Sequence, residues 1–224
     1  MARSGFCAAL LVYGLLAGCA DIPSEDAGSY VVKPQDTLYS IAWRHGLDYQ
    51  DIARWNRIGP DYRIIVGQTL LLHGPAAAHS AAPKPARVAP IAPSRPAPPV
   101  GPVSALKWAW PTEHASSPQS VPGGGLLLSG RLGQDIRAAC AGRVVYVGNG
   151  IRGYGNLIIV KHDEDLLSAY AHNRDVQVHE SQEVVVGQVI GHMGEGAPGK
   201  PVLYFEIRRG GKPVDALPFL SAAN

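Results

Sequence analysis

Among the side chains of the C-terminal half, the candidates for metal binding or proton transfer are Asp135, His162, His172, His179, His192 and Glu206. Imidazole and carboxylate together form the donor set of a catalytic zinc centre, which needs about three protein ligands and one open position for water. The spacing argues against reading such a centre directly. No two histidines stand as H-x-H or H-x-x-x-H, the intervals that put two rings on one side of a strand or helix. His162 and His172 flank the "DEDLL" turn of an expected hairpin, where both read equally well as surface residues. Glu206 lies in "PVLYFEIRR" (201–209), whose alternation predicts a strand. Leu203, Phe205 and Ile207 fall on one face; Tyr204, Glu206 and Arg208 fall on the other. A phenol, a carboxylate and a guanidinium in a row read as solvent surface or as the wall of a site.

The segment that must hold these residues, 107–224, is nearly all β in pattern. "GRVVYVGNG", "GNLIIVKH", "LLSAYAH", "QEVVVGQVIGHMG" and "VLYFEIRRGGKPVDAL" are short β-rich runs separated by turn signals, as in a sandwich or open barrel. "GNGIRG" (148–153) fits the dinucleotide pattern G-x-G-x-x-G, but the strand-like "YGNLIIVKH" follows it. A pyrophosphate needs a helix N-terminus there, so the stretch reads as a hairpin turn. With a formal net charge of +2 and no Lys/Arg block, the chain has no signature of nucleic-acid binding.

The N-terminus reads as a targeting segment. Arg3 precedes a short apolar core, "FCAALLVYGLL", closed by "LAGC" (16–19). This tetrapeptide resembles a bacterial lipobox. The resemblance implies a signal peptide over 1–18, cleavage before Cys19, lipidation of Cys19 and a short tether over 19–28. Ala20 after the cysteine favours the outer membrane, with the protein facing the periplasm. Cys7 would leave with the signal, so Cys140 is the sole remaining thiol, among small and apolar neighbours. That excludes a disulfide framework or a cysteine metal site and points to a buried structural cysteine.

Residues 29–73 predict strand, helix, helix, strand. "YVV" and "QTLLL" are the strands; the first helix is expected to begin with Asp36 as its cap and to stop at Gly46. "YVVKPQDTLYSIA", "HGL", "IARWN" and "VGQTLLL" resemble a LysM domain over the whole segment. The resemblance implies binding of N-acetylglucosamine-containing glycan, here peptidoglycan. The groove would lie between loops 34–38 and 58–64, with Asp36, Thr37, Leu38, Pro60 and Tyr62 as contacts. The Pro/Ala-rich stretch 74–106 cannot bury a core and reads as a disordered linker. Fully extended, it would reach on the order of 90 Å.

The C-terminal segment resembles the M23 (LytM) peptidase family over almost its full length. The carrying stretches are "WAWP", "GQDIRAACAGRVVYVGNGIRGYGNLIIVKH", "LLSAYAHN", "VVVGQVIGHMG" and "LYFEIRRGGKPVDALPFL". The implied fold class is therefore multi-domain: a small α+β (βααβ) LysM unit, a linker, and a mostly-β domain of the duplicated hybrid-motif type. Active members hold Zn²⁺ with the His and Asp of H-x-x-x-D and the second His of an H-x-H. Matched here, the first ligand position is Arg131, Asp135 is retained, and H-x-H falls on Val202 and Tyr204; His172 is retained in "YAH". Two of three ligands are thus replaced. A guanidinium repels Zn²⁺ and is better placed to pair with Asp135, and Val202 has no donor atom. The expectation is no metal, no cofactor and no peptidase activity, with Asp135 and His172 as remnants.

Degenerate members of this family, in lipoprotein and LysM contexts, activate N-acetylmuramoyl-L-alanine amidases during cell separation by binding them through the dead cleft. The overall layout is similar to those lipoproteins, and "LYFEIRR" is similar to their coiled-coil counterparts. The residues that resemblance assigns to amidase binding are Tyr204, Arg208 and Tyr154, with Arg131, Leu132, Asp135 and His172 lining the same cleft. Two other readings stand beside this one: an active zinc endopeptidase with unrecognised ligands, and a structural tether between outer membrane and cell wall.

Overall fold

A computed structural model of the protein describes residues 28–74, 106–113, 116–163 and 165–221. The expected signal peptide, Cys19 and nearly all of the Pro/Ala-rich stretch lie outside these residues. Among the described residues no helix is long and apolar enough to cross a membrane.

In the N-terminal unit, β1 (Ser29–Val31) pairs antiparallel with β2 (Thr69–Leu71), Tyr30 standing opposite Leu70. Helix α1 (Leu38–His45) is capped by Thr37 and not by Asp36. The Thr37 hydroxyl accepts from the Ser40 N–H at 3.1 Å, and the Ser40 hydroxyl accepts from the Thr37 N–H at 3.0 Å. This reciprocal box satisfies two donors that a helix start leaves orphaned. Asp36 is drawn off by better partners: it accepts from the Tyr30 hydroxyl (2.7 Å), the Lys33 N–H (2.9 Å) and Arg44 (3.0 Å). Gly46 ends the helix at φ 63°, a left-handed conformation that costs glycine little. Helix α2 (Tyr49–Trp55) is capped by Asp48. Asn56 then ties it to β2, accepting from the Leu71 N–H at 2.7 Å and donating to the Leu71 carbonyl at 2.8 Å.

The C-terminal unit comprises β3 (Ser116–Ser120), β4 (Leu126–Ser129), β5 (Asp135–Arg137), β6 (Gly142–Gly148), β7 (Asn156–Lys161), β8 (Leu166–Val176), β9 (Glu183–Val184), β10 (Val189–Met193), β11 (Glu195–Ala197), β12 (Lys200–Arg209), β13 (Lys212–Val214) and α3 (Leu217–Ser221). The main sheet runs β3-β4-β12-β8-β7-β6-β9, and β10 bridges β8 to β5. β6 and β7 pair antiparallel around the "GNGIRG" turn, as the sequence predicts for a hairpin.

One face of this sheet buries Leu126, Leu128, Ile158, Val160, Tyr170, Leu203, Phe205 and Ile207, closed by Trp108, Trp110 and Leu220. The other face is also apolar. Leu157, Ile159, Leu167, Ala169 and Ala171 are all at most 4 % exposed. An antiparallel sheet with one face in water alternates apolar with polar residues, and these strands do not. The second face is covered by the N-terminal unit: its residues form a single apolar cluster with Leu38, Ile41 and Trp43 of α1 and with Ile52 and Leu70. The layer over the sheet is thus the βααβ domain.

Candidate functional site

β12 places Leu203, Phe205 and Ile207 in the main core and Tyr204, Glu206 and Arg208 on the opposite face. That face is not open. The Glu206 side chain is 2 % exposed and that of Arg208 9 %. Glu206 accepts from Arg208 Nε at 2.6 Å, from the Tyr204 hydroxyl at 2.6 Å and from the Tyr154 hydroxyl at 3.4 Å. Arg208 also donates through Nη1 to the main-chain carbonyl of Trp43 at 2.7 Å, and its guanidinium carbon lies 3.7 Å from the centre of that indole. Lys212 donates to the Gly46 carbonyl at 3.0 Å. Two cations of the C-terminal domain therefore serve carbonyls at the C-terminal end of α1, where the helix dipole is negative.

Three rings continue the cluster. Tyr154 packs edge-on to Trp43 (6.4 Å between centres) and to Tyr204 (5.5 Å), and His172 stands 6.5 Å from Tyr204. Burial, then the bond to Glu206, pushes the Tyr204 phenol well above its usual range, so it is a donor and not a phenolate at any working pH. Burial pulls the His172 imidazole below its ordinary value, which keeps it neutral near pH 7. His172 adopts φ 63°, and its ring lies beside Gly196 next to Val202.

The structure brings Tyr154, His172, Tyr204, Glu206 and Arg208 together and puts Asp135 in a different cluster. Asp135 is paired with Arg137 at 2.8 Å, not with Arg131 as expected from sequence; residue 137, two positions along β5, points to the same side and reaches it first. His192 Nε2 approaches the same carboxylate at 3.7 Å while its Nδ1 bonds Asp175 at 2.5 Å. That bond holds the Asp175 carboxyl at about 2, below the usual carboxylate range. Arg131 and Leu132 are exposed in the loop before β5. His162, which the sequence leaves open as a surface residue of the hairpin, is half-buried. Its Nδ1 lies 2.8 Å from the Ala141 carbonyl and its Nε2 lies 2.7 Å from the Ser168 hydroxyl. Cys140 is buried, as its neighbours suggest.

Zinc, implied by the family resemblance, does not fit the donors present. Val202 offers none, the Tyr204 hydroxyl is committed to Glu206, and Asp135 is held by Arg137. Among the described residues no three His, Cys, Asp or Glu side chains are grouped to hold a metal ion. What the site offers is a buried, charge-assisted hydrogen-bond cluster beside an apolar floor, which is chemistry of recognition.

A second feature sits at the other end of the seam. A cleft of about 620 Å³ is walled on one side by Thr37, Leu38, Tyr39, Pro60 and Tyr62, and on the other by β6, β7 and the segment before β9, including Arg143 and Glu180. Of the five expected glycan contacts, Thr37, Leu38, Pro60 and Tyr62 line it. Asp36 does not: its side chain is 6 % exposed and turned to Tyr30 and Arg44, shaping the loop from beneath.

Sequence reasoning assigned no role to Trp43, nor to the floor residues Leu157, Ile159, Leu167, Ala169 and Ala171. The usable signal was "NLIIV" and "LLSAYA", which leave no polar face on either side of a strand and so demand a second covering layer.

Two family models match the chain: the LysM domain over residues 30–72 and Peptidase family M23 over residues 122–216. The "Lipoprotein NlpD/LppB homolog" of Pseudomonas aeruginosa is 43 % identical over 87 % of this chain and 77 % of its own length. The "Uncharacterized lipoprotein YgeR" of Escherichia coli K12 is 40 % identical over 92 % of this chain and 88 % of its own length. The "Murein hydrolase activator NlpD" of the same organism is 34 % identical over 94 % of this chain and 72 % of its own length. With both domains matched in this order and relatives of that identity along most of both chains, the protein belongs to the NlpD-type family of lipoproteins that join a LysM domain to an M23 peptidase domain.

Proposed function

We propose that this chain is a non-catalytic activator of periplasmic N-acetylmuramoyl-L-alanine amidases, acting in peptidoglycan splitting and daughter-cell separation. A peptidoglycan-related role is supported by the LysM match and by relatives named as murein hydrolase activators. The observation that carries the finer reading is at the position of a hydrolase's paired histidines. Val202 and Tyr204 stand there, and the Tyr204 hydroxyl donates to a buried Glu206 that also holds Arg208. Such a face suits recognition of a protein, with Val202 lacking a donor atom and the Tyr204 hydroxyl committed to Glu206.

In this reading the LysM loops take glycan through Thr37, Leu38, Pro60 and Tyr62. Tyr154, Tyr204 and Arg208 grip the amidase, with Arg131 and Leu132 at the rim. Cys19 carries the lipid that places the protein at the outer membrane, facing the periplasm. Biolayer interferometry of purified amidases over the immobilised protein tests the partner assignment. Saturable binding of at least one amidase, by the protein or by a variant in which Arg208 is uncovered, is expected; binding of none to either, at amidase concentrations into the tens of micromolar, would sink it.

A further inference from the structure

The face proposed to grip the amidase is the face on which the LysM domain lies. Arg208 is engaged by the Trp43 carbonyl and indole, Tyr154 packs against the same indole, and Lys212 is bound to the Gly46 carbonyl. The apolar floor of Leu157, Ile159, Leu167, Ala169 and Ala171 is fully covered. We infer that the LysM domain is the resident occupant of the partner-docking cleft, and that the protein is closed until this domain is lifted away. The inference rests on the activator reading and adds its regulation.

Three observations favour a displaceable cover over a permanent core. The seam retains a crevice of about 470 Å³ between α1 and the β6–β7 turn, lined by Trp43, Gly46, Ile151, Tyr154 and Arg208. The indole N–H of Trp43, one of its lining residues, is buried with no hydrogen-bond partner among the described residues, a defect that a lasting core removes. The LysM unit also has its own sheet, caps and Asn56 clasp, none of which uses the other domain. Lifting it returns the Arg208–Glu206 pair to water and bares an apolar strip. The competing partner must therefore be a protein surface that supplies an apolar side chain for the floor and a carbonyl or carboxylate for Arg208. Because closure hides the site, apparent affinity falls by the fraction of molecules that are open.

Gly211 gives a clean way to open the seam. It sits at φ 73° in the β12–β13 turn, and a Cβ placed there would stand 2.3 Å from the Leu47 carbonyl group and 2.5 Å from the Asp48 nitrogen. Asparagine tolerates the left-handed turn conformation, so Gly211→Asn keeps the hairpin and drives a wedge into the LysM backbone. Small-angle scattering of the purified protein reads closure, and amidase binding reads its consequence. The wild type should scatter as a compact particle, and Gly211→Asn, alone or with Lys212→Glu, should scatter as an extended one. The open variants should bind amidase roughly tenfold tighter or more. A wild type that is already extended overturns the inference, as do variants that stay compact and open variants that bind no tighter. If no amidase binds either form, the activator reading is what fails, while the scattering still decides whether the domain closes.

Discussion

Arg208 of the M23 domain and Trp43 of the LysM domain are joined twice, by a 2.7 Å hydrogen bond to the main-chain carbonyl and by a guanidinium 3.7 Å from the indole centre. One residue thereby belongs to the Tyr204–Glu206 face of one domain and to the helix end of another. The same guanidinium is anchored from behind by Glu206 at 2.6 Å, so its direction is fixed whether or not the LysM domain is seated. A preoriented cation beside an apolar floor suits a docking surface better than a flexible one would.

Removing that cation should be costly to the fold itself. Arg208→Ala leaves Glu206 buried with its two phenols alone, and loss of one partner from a buried pair costs about 3–5 kcal/mol. Glu206→Gln combined with Arg208→Met should lose less than Arg208→Ala by itself. Urea denaturation of the three proteins checks this; equal losses for the single and double variants would show that the pair is not energetically coupled.

Leu132 separates binding from stability. It is 54 % exposed at the expected cleft rim, with no place in either core cluster. Leu132→Asp should reduce amidase stimulation by roughly tenfold, about 1.4 kcal/mol of binding, with the melting temperature unchanged. Unaltered stimulation in a titration would remove Leu132 from the interface.

His162 predicts a pH dependence of stability. Burial lowers its pKa from 6.5 to about 4. Between those values the unfolded chain holds a proton that the folded chain rejects, so the unfolded form binds more protons and stability is lost as pH is lowered. The loss begins near pH 6.5, levels off below about pH 4 and amounts to on the order of 3 kcal/mol. Above pH 7 this residue contributes no slope. Denaturation midpoints of wild type and His162→Gln across pH 4–8 measure it: the variant should lose this part of the slope.

Tyr62 tests the glycan assignment. It lines the cleft opposite Arg143 and Glu180 and packs edge-on against Tyr39 and Tyr49. Tyr62→Ala should weaken binding of N-acetylglucosamine oligomers by roughly tenfold in calorimetry. Undiminished affinity would move the glycan site elsewhere on the domain.

Much of this molecule was legible before its coordinates. The βααβ order, the Gly46 stop, the hairpin at "GNGIRG" and the alternation of β12 follow from local rules of capping, turns and period. The N-cap was misread because two adjacent residues, Asp36 and Thr37, both have the right chemistry, and only Tyr30 and Arg44 decide which is spent elsewhere. The Arg131–Asp135 pairing failed because Arg137 is nearer across one strand pleat. The burial of Tyr204, Glu206 and Arg208 was out of reach for a different reason. Alternation tells which residues share a face and not what covers it, and here the cover begins more than a hundred residues upstream. The two-sided apolar runs of β7 and β8 were the one sequence signal that a cover exists.

The central claim is that this chain stimulates hydrolysis without performing it, and dye release from labelled peptidoglycan sacculi tests that most directly. Three mixtures decide it: the protein alone with added zinc, an amidase alone, and both together. The account predicts background release from the first, slow release from the second, and several-fold faster release from the third. Zinc-dependent release by the protein alone, or a third mixture no faster than the second for every amidase tried, would contradict it.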